Sequence, residues 1–332
     1  MRHSTVSPTA KTRIYLTAGV LVLSILAVVS LFAGKYPLTL QGVLSGDTMQ
    51  LRVFQTLRVP RTLVALCGGV VLGITGYVYQ TIFHNPLASP DIVGVSSGAS
   101  AGAAFGILFL GSAWGATTIS AFAGALIAAC LALFLAALDK GRQNGTIVLC
   151  GIAVHALAQT LLMFLKLAAD PEKQLASIEY WIMGSLNGVT LSRVVWNLWM
   201  CVAIVILLAL LLRQVIMLSN REDEAKMLGM NVGRMRLVIL IISTCGVAAV
   251  ISMTGLVSFV GLLSPHISRK LHGSHQRGIF AMSGLVGGCL LLGADILARC
   301  VAQAELPVSI FTSLLGAPFL LYLAIAGRKG EQ

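Results

Sequence analysis

An all-α, polytopic membrane protein with about ten transmembrane helices is the fold class this sequence predicts, and three observations predict it. Of 332 residues, 57% are hydrophobic and only 11% charged, less than half the charged share of roughly 25% found in soluble domains. The apolar residues come in blocks long enough to cross hydrocarbon as helices, which takes about 20 residues. Pro86 and Pro90 interrupt this pattern inside His84-Asn85-Pro86-Leu87-Ala88-Ser89-Pro90-Asp91. Each proline removes a backbone donor and clashes with the turn before it, so the chain must break there. A broken backbone in a bilayer is tolerated only where protein or a water-filled cavity satisfies it, which points to a translocation path.

The basic segment from Met1 to Arg13 precedes an apolar block without a convincing cleavage pattern, so Ile14 to Ala33 reads as a retained first span. Apolar runs then place the spans at about 14–34, 61–83, 91–110, 115–137, 146–167, 191–213, 235–254, 256–270, 278–301 and 308–326. The whole chain, 1–332, reads as one transmembrane domain. An even count puts both termini on one side. Arg2, Lys11 and Arg13, then Lys140 and Arg142, Arg221 to Arg236, Arg269 to Arg277, and Arg328 with Lys329 all fall on that side, which the positive-inside rule makes cytoplasmic. The loop from Lys35 to Arg61 is the exception. Its Arg52, Arg58 and Arg61 form a positive cluster on the opposite side, suited to an acidic partner or to lipid phosphate.

The net charge of +11 does not signal nucleic acid, because the basic residues are scattered in short connections without interleaved aromatics. Seven cysteines lie singly in apolar stretches with no ligand spacing and read as small buried hydrophobes. His266 and His275 lack partner ligands, so no metal site is expected, and loop hydrogen bonding fits them better. Asp295 precedes Arg299 by one helical turn, which reads as an internal salt bridge. No phosphate-cradling G-x-x-x-x-G-K-[ST] loop, HExxH or nucleophile elbow is present, so the chain is neither an ATPase nor a recognisable hydrolase, and no catalytic residue is expected.

Met217 to Arg236 is the longest cytoplasmic connection. Within it Ser219 or Asn220 can cap a short helix carrying Glu222, Asp223 and Glu224, and Gly229 can end it. Apolar Met227, Leu228 and Met230 suit a docking surface for a cytoplasmic protein. After the double-proline break, Gly94, Gly98 and Gly102 recur every four residues and allow close helix approach.

Ordered motifs run through nearly the whole chain: Leu57-Arg58-Val59-Pro60-Arg61; Gln80 with Asn85-Pro86-Leu87-Ala88-Ser89-Pro90 and Gly94; Ala225-x-x-Leu228-Gly229; Gly255 to Arg269 with Ser264-Pro265-His266; Ala294-Asp295 with Arg299; Glu305-Leu306-Pro307; and Gly316-Ala317-Pro318. Together they resemble the FecCD family, the permease subunits of type II ABC importers for ferric siderophores, haem and cobalamin. Two places depart from the family pattern, Ser309 where glycine is common and Gly273-Ser274-His275-Gln276-Arg277, which has Gln where an Asp-His-Arg run is common. The resemblance implies the BtuC-like permease fold, with ten helices per subunit in a bacterial cytoplasmic membrane. It also implies a second permease subunit, two cytoplasmic ATPases that bind ATP and magnesium in place of this chain, and a periplasmic or lipid-anchored substrate-binding protein.

By the same resemblance Arg58, Arg61 and Arg299 dock acidic side chains of the binding protein, and residues 219–231, chiefly Glu224, Ala225, Leu228 and Gly229, couple to the ATPase. Asn144 and Gly145 correspond to a cytoplasmic gate. The break at Asn85, Pro86 and Pro90, with Gly94 and Gly98 after it, supports the pathway from the cytoplasmic end of the second span. The Asn-Pro-Leu-Ala-Ser-Pro-Asp form is closer to siderophore members, with haem or cobalamin as the alternative cargo. A proton-driven secondary transporter would need an unpaired acid in the path, and an intramembrane enzyme would need a facing nucleophile and base.

Overall fold

The computed structural model describes residues 8–111, 114–138, 144–219, 227, 229–273, 275–302 and 304–328, and among them the regular structure is helical throughout. Helix α1 (Pro8–Phe32) is followed by two short helices, α2 (Leu40–Leu44) and α3 (Thr48–Val53). A π-helical turn, Phe54–Arg58, feeds α3 directly into α4 (Val59–Ile82). The stretch from Lys35 to Arg61 is therefore not the plain loop the sequence suggests. Thr39 caps α2 by accepting from the Gly42 amide, and Asp47 caps α3 by accepting from Met49 and Gln50, each satisfying donors that a helix start leaves free.

After α4 the chain passes through a 3₁₀ turn, Pro90–Val93, into α5 (Val95–Phe105), which ends in a π turn, Gly106–Leu110. There follow α6 (Trp114–Leu138), α7 (Asn144–Ala168), α8 (Gln174–Met183), α9 (Leu191–Leu210) and α10 (Leu212–Leu218). The remaining long elements are α11 (Val232–Thr254), α12 (Val260–His272), α13 (Gln276–Cys300) and α14 (Val308–Arg328). Among the described residues, seven helices are long and apolar enough to cross a membrane.

Two expected spans come out short for a local reason. The third begins only at Val95, because Pro90 opens a 3₁₀ turn and Gly94 takes a left-handed φ of 77° that ends it. The eighth begins only at Val260, because Gly255 and Phe259 both have positive φ, 68° and 66°. Both helices thus start after non-helical backbone. Helix α8 was not foreseen, since ten residues are too few to register as a span. Ser219 follows α10 and closes it, its hydroxyl donating to the Ile216 carbonyl, while Asn220 and the acids after it lie outside the described residues. The cysteines also differ from expectation: Cys201 is buried, but Cys130 and Cys300 are exposed on the helical surface.

Helix α4 is the axis of the core, buried over most of its length, and glycines let its neighbours reach backbone contact. A Cβ added at Gly73 would stand 2.0 Å from the Ser283 carbonyl oxygen on α13, and one at Gly76 1.7 Å from that of Gly261 on α12. Helices α5 and α6 approach in the same way, with Gly98 against Gly124 and Gly102 against Ser120. Without a hydrophobic drive between helices in lipid, such close packing is the main source of association.

Candidate functional site

The ends of α1, α4 and α13 converge on a buried ion-pair network. Arg61, in the first turn of α4, donates from Nε to Asp295 Oδ1 at 2.8 Å and from Nη1 to Glu305 Oε2 at 2.9 Å. Arg299 lies 2.9 Å from the other Asp295 oxygen through Nη2, one helical turn along α13. Its Nη1 also donates to the Ser30 and Ala33 carbonyls at 3.1 and 3.2 Å, and Nη2 to Ser30 Oγ at 2.7 Å. These bonds satisfy the last carbonyls of α1, which the helix itself cannot. The same Ser30 hydroxyl meets Thr62 Oγ1 at 2.8 Å.

Arg61 and Arg299 are thus 7% and 2% exposed and committed to internal acids. In this chain they do not form the open docking surface expected of them; they hold its supporting framework together. The salt bridge between Asp295 and Arg299 is present as the spacing predicts. Arg58 is buried to the same degree, 7% exposed, but its hydrogen bond goes to a backbone carbonyl and not to an internal acid. It lies over Gly34 and donates to the Tyr36 carbonyl at 3.3 Å, and it lines a cavity of about 300 Å³ with Lys35, Asn187 and Glu305. Three guanidiniums against two carboxylates leave this end net positive.

At the opposite end of α4 a second polar chain ties three helices together. Arg269 of α12 donates to Gln80 Oε1 at 2.5 Å, and Gln80 Nε2 donates to the Leu262 carbonyl at 3.1 Å. Tyr77 donates to Gln276 of α13 at 2.8 Å. His84 pairs through Nε2 with the Ser219 carbonyl at 3.2 Å, next to the connection read as the coupling segment. Within that connection Glu224, Ala225 and Leu228 lie outside the described residues, while Gly229 has a left-handed φ of 79°, the conformation that suits a helix end. Asn144 opens α7, and a Cβ on exposed Gly145 would meet no atom within 4 Å.

The double-proline segment folds back into the structure. Asn85 Oδ1 accepts from the Leu87 amide at 2.9 Å, and Pro86 lies within the turn that this bond closes. Pro90 opens the 3₁₀ turn. A Cβ on Gly94 would stand 3.3 Å from the His155 nitrogen, and one on Gly151 1.8 Å from the Ile92 carbonyl, so residues 92–94 sit against the middle of α7. The break is therefore not confined to the end of the second span, where the topology count put it. His275 caps α13 by accepting from Gly278, whereas His266 packs edge-on against Phe319 instead of bonding in a loop.

Two links were not foreseen. Sequence order separates Gln80 from Arg269, and Glu305 from Arg61, by more than 180 residues, so only the packing of α4 against α12 and α13 brings them together.

The FecCD transport family model matches residues 22–326. The molybdate import system permease protein MolB of Haemophilus influenzae is 33% identical over 323 residues, covering 93% of this chain and 95% of its own. The cobalamin import system permease protein BtuC of Halobacterium salinarum is 37% identical over 268 residues, 81% of this chain and 72% of its own. Further relatives carry names for hemin, ferric enterobactin and Fe(3+)-citrate transport. A solved metal-chelate type ABC transporter in an inward-facing conformation superposes with a TM-score of 0.86 at 32% identity, over 95% of this chain and 99% of that one. The chain belongs to the FecCD transport family, as a multi-pass membrane permease subunit of an ABC importer.

Proposed function

We propose that this permease subunit carries a ferric siderophore across a bacterial cytoplasmic membrane by alternating access, with both termini in the cytoplasm. The observation that carries this reading is the pairing of a net-positive end around Arg58 with a glycine-terminated connection at the other. The first suits an acidic binding protein, because charge complementarity steers and orients a partner more than it adds affinity. Arg61 and Arg299 hold that end together, and Arg58, in the cavity beside exposed Lys35, contributes the charge the partner meets. The second suits a coupling segment for two ATPase subunits, with Glu224, Ala225, Leu228 and Gly229 at the contact and Asn144 and Gly145 at the gate. Movement of the ATPases then shifts packed helices as rigid bodies. A second permease subunit, identical or homologous, completes the pathway.

Cargo class is the finer part of the reading. The Asn85 to Asp91 form and the relatives named for ferric enterobactin and Fe(3+)-citrate favour an iron chelate. The 33% identity with a molybdate permease across nearly the whole chain favours a second reading, an oxyanion cargo. Purified complex in vesicles, offered binding protein loaded with iron chelate, haem, cobalamin or molybdate, separates them. Stimulated ATP hydrolysis and uptake with the iron chelate alone is the expected result; stimulation by molybdate alone overturns the cargo assignment.

A further inference from the structure

Asp91 lies well inside the membrane-spanning region. It shares a cavity of about 210 Å³ with Leu72, Ser96, Val247, Ser258 and Phe259. Leu72 is ten residues from the end of α4 at Ile82, which at 1.5 Å per residue places the cavity about 15 Å from that end. Val247 is likewise near the middle of α11. The two segments that interrupt the α-helices, residues 89–94 and 255–259, therefore face one another at mid-depth across a polar pocket. The Ser96 hydroxyl donates to Asp91 Oδ1, and Asp91 is exposed while Pro90 and Val93 beside it are buried.

What covers this exposed acid follows from its surroundings. Residues 92–94 pack against α7 at His155, which is itself exposed and within electrostatic reach of the carboxylate. On the other side, Phe259 stands against Gly316 of α14. Helices α1 and α9 also expose large apolar side chains, among them Leu21, Ile25, Trp199 and Ile206. Neither carries an Asp, Glu, His, Lys or Arg from Leu16 to Phe32 or from Val194 to Leu210, as faces against lipid should not. The face bearing Asp91 and His155 breaks that rule. Ionisable groups inside a membrane face protein or a water-filled cavity.

We propose that Asp91 faces the water-filled cargo path and acts there as a charge filter, passing net-neutral or cationic ferric chelates and retarding polyanionic ones. This rests on the iron-chelate reading and narrows it: a ferric tris-hydroxamate, whose charges cancel, passes, and a ferric tris-catecholate or an oxyanion is repelled.

The test places a thiol beside the acid. In the reconstituted full-length permease with its partners, His155→Cys is labelled with cationic and anionic methanethiosulfonates. Rates are normalised to a free small thiol, and peptide mass spectrometry separates the site from the native cysteines. The cationic reagent should react about tenfold faster, the low end of focusing by a charge-lined cleft. Asp91→Asn should abolish the preference and Asp91→Glu should keep it. Equal rates with Asp91 intact, or no labelling by either reagent, overturns the proposal, and neither result needs the asparagine variant to fold. In the same vesicles, Asp91→Asn should raise tris-catecholate uptake relative to tris-hydroxamate. If neither chelate enters while the labelling preference holds, the cargo reading fails and the charge filter stands.

Discussion

Asp295 carries the most consequential single interaction in the chain, because it is fully buried and answers two arginines at once. Removing one partner of a buried ion pair leaves charge uncompensated in low dielectric, so Asp295→Asn should destabilise by about 3–5 kcal/mol. Thermal unfolding of the purified protein in detergent measures it. Arg58 is also buried but bonds a carbonyl, so Arg58→Gln should cost less stability than Asp295→Asn and weaken docking of the binding protein, read as affinity in the reconstituted complex; unchanged affinity would remove Arg58 from the interface. The four-residue spacing of Asp295 and Arg299 made their salt bridge legible in the sequence. The third and fourth members, Arg61 and Glu305, were not, because an ion pair across 244 residues leaves no local trace. The positive cluster and the family resemblance therefore assign Arg61 to a partner, with no sign of its internal acids.

At the scale of elements, glycine placement makes opposite predictions for one helix pair. Gly73→Ala forces a methyl into the Ser283 carbonyl across the α4–α13 contact, and overpacking of this kind costs about 1–3 kcal/mol. Gly293→Ala, on α13 itself, meets nothing within 4 Å and should be neutral or stabilising by up to about 1 kcal/mol through helix propensity. Parallel melting curves of the two variants check the sign of each. The Asp47 cap makes a pH prediction. Amide donors, that of Gln50 first, then the Gln50 side chain and the Met49 amide, hold its carboxyl below the ordinary value of 3.8. A depressed folded value means the cap's contribution is present above pH 3.8 and lost as pH falls through the folded value. Hydrogen exchange at Met49 and Gln50, corrected for intrinsic rates, should lose protection in that window, and Asp47→Asn should flatten the dependence. Long apolar elements were legible because hydrocarbon demands about 20 residues in a row. The short ones, α2, α3, α8 and α10, were not, since they carry no span-length signal and form from caps and packing.

The whole molecule is a set of helices locked around α4 with one polar network at each end and an acid between two broken segments at mid-depth. Membership of the FecCD transport family and the permease role are fixed by matches along nearly the full chain. The ordered motifs made both legible, because each marks a point where the fold departs from a plain apolar helix. We infer that the drive comes from partner ATPases; the alternative source is a proton gradient acting on an acid inside the membrane-spanning region, such as Asp91. The decisive measurement is uptake of iron chelate into vesicles holding the complete complex, with ATP and the proton gradient varied independently. Uptake should need ATP and the loaded binding protein and survive collapse of the gradient. Uptake that persists without ATP and stops when the gradient collapses would contradict it.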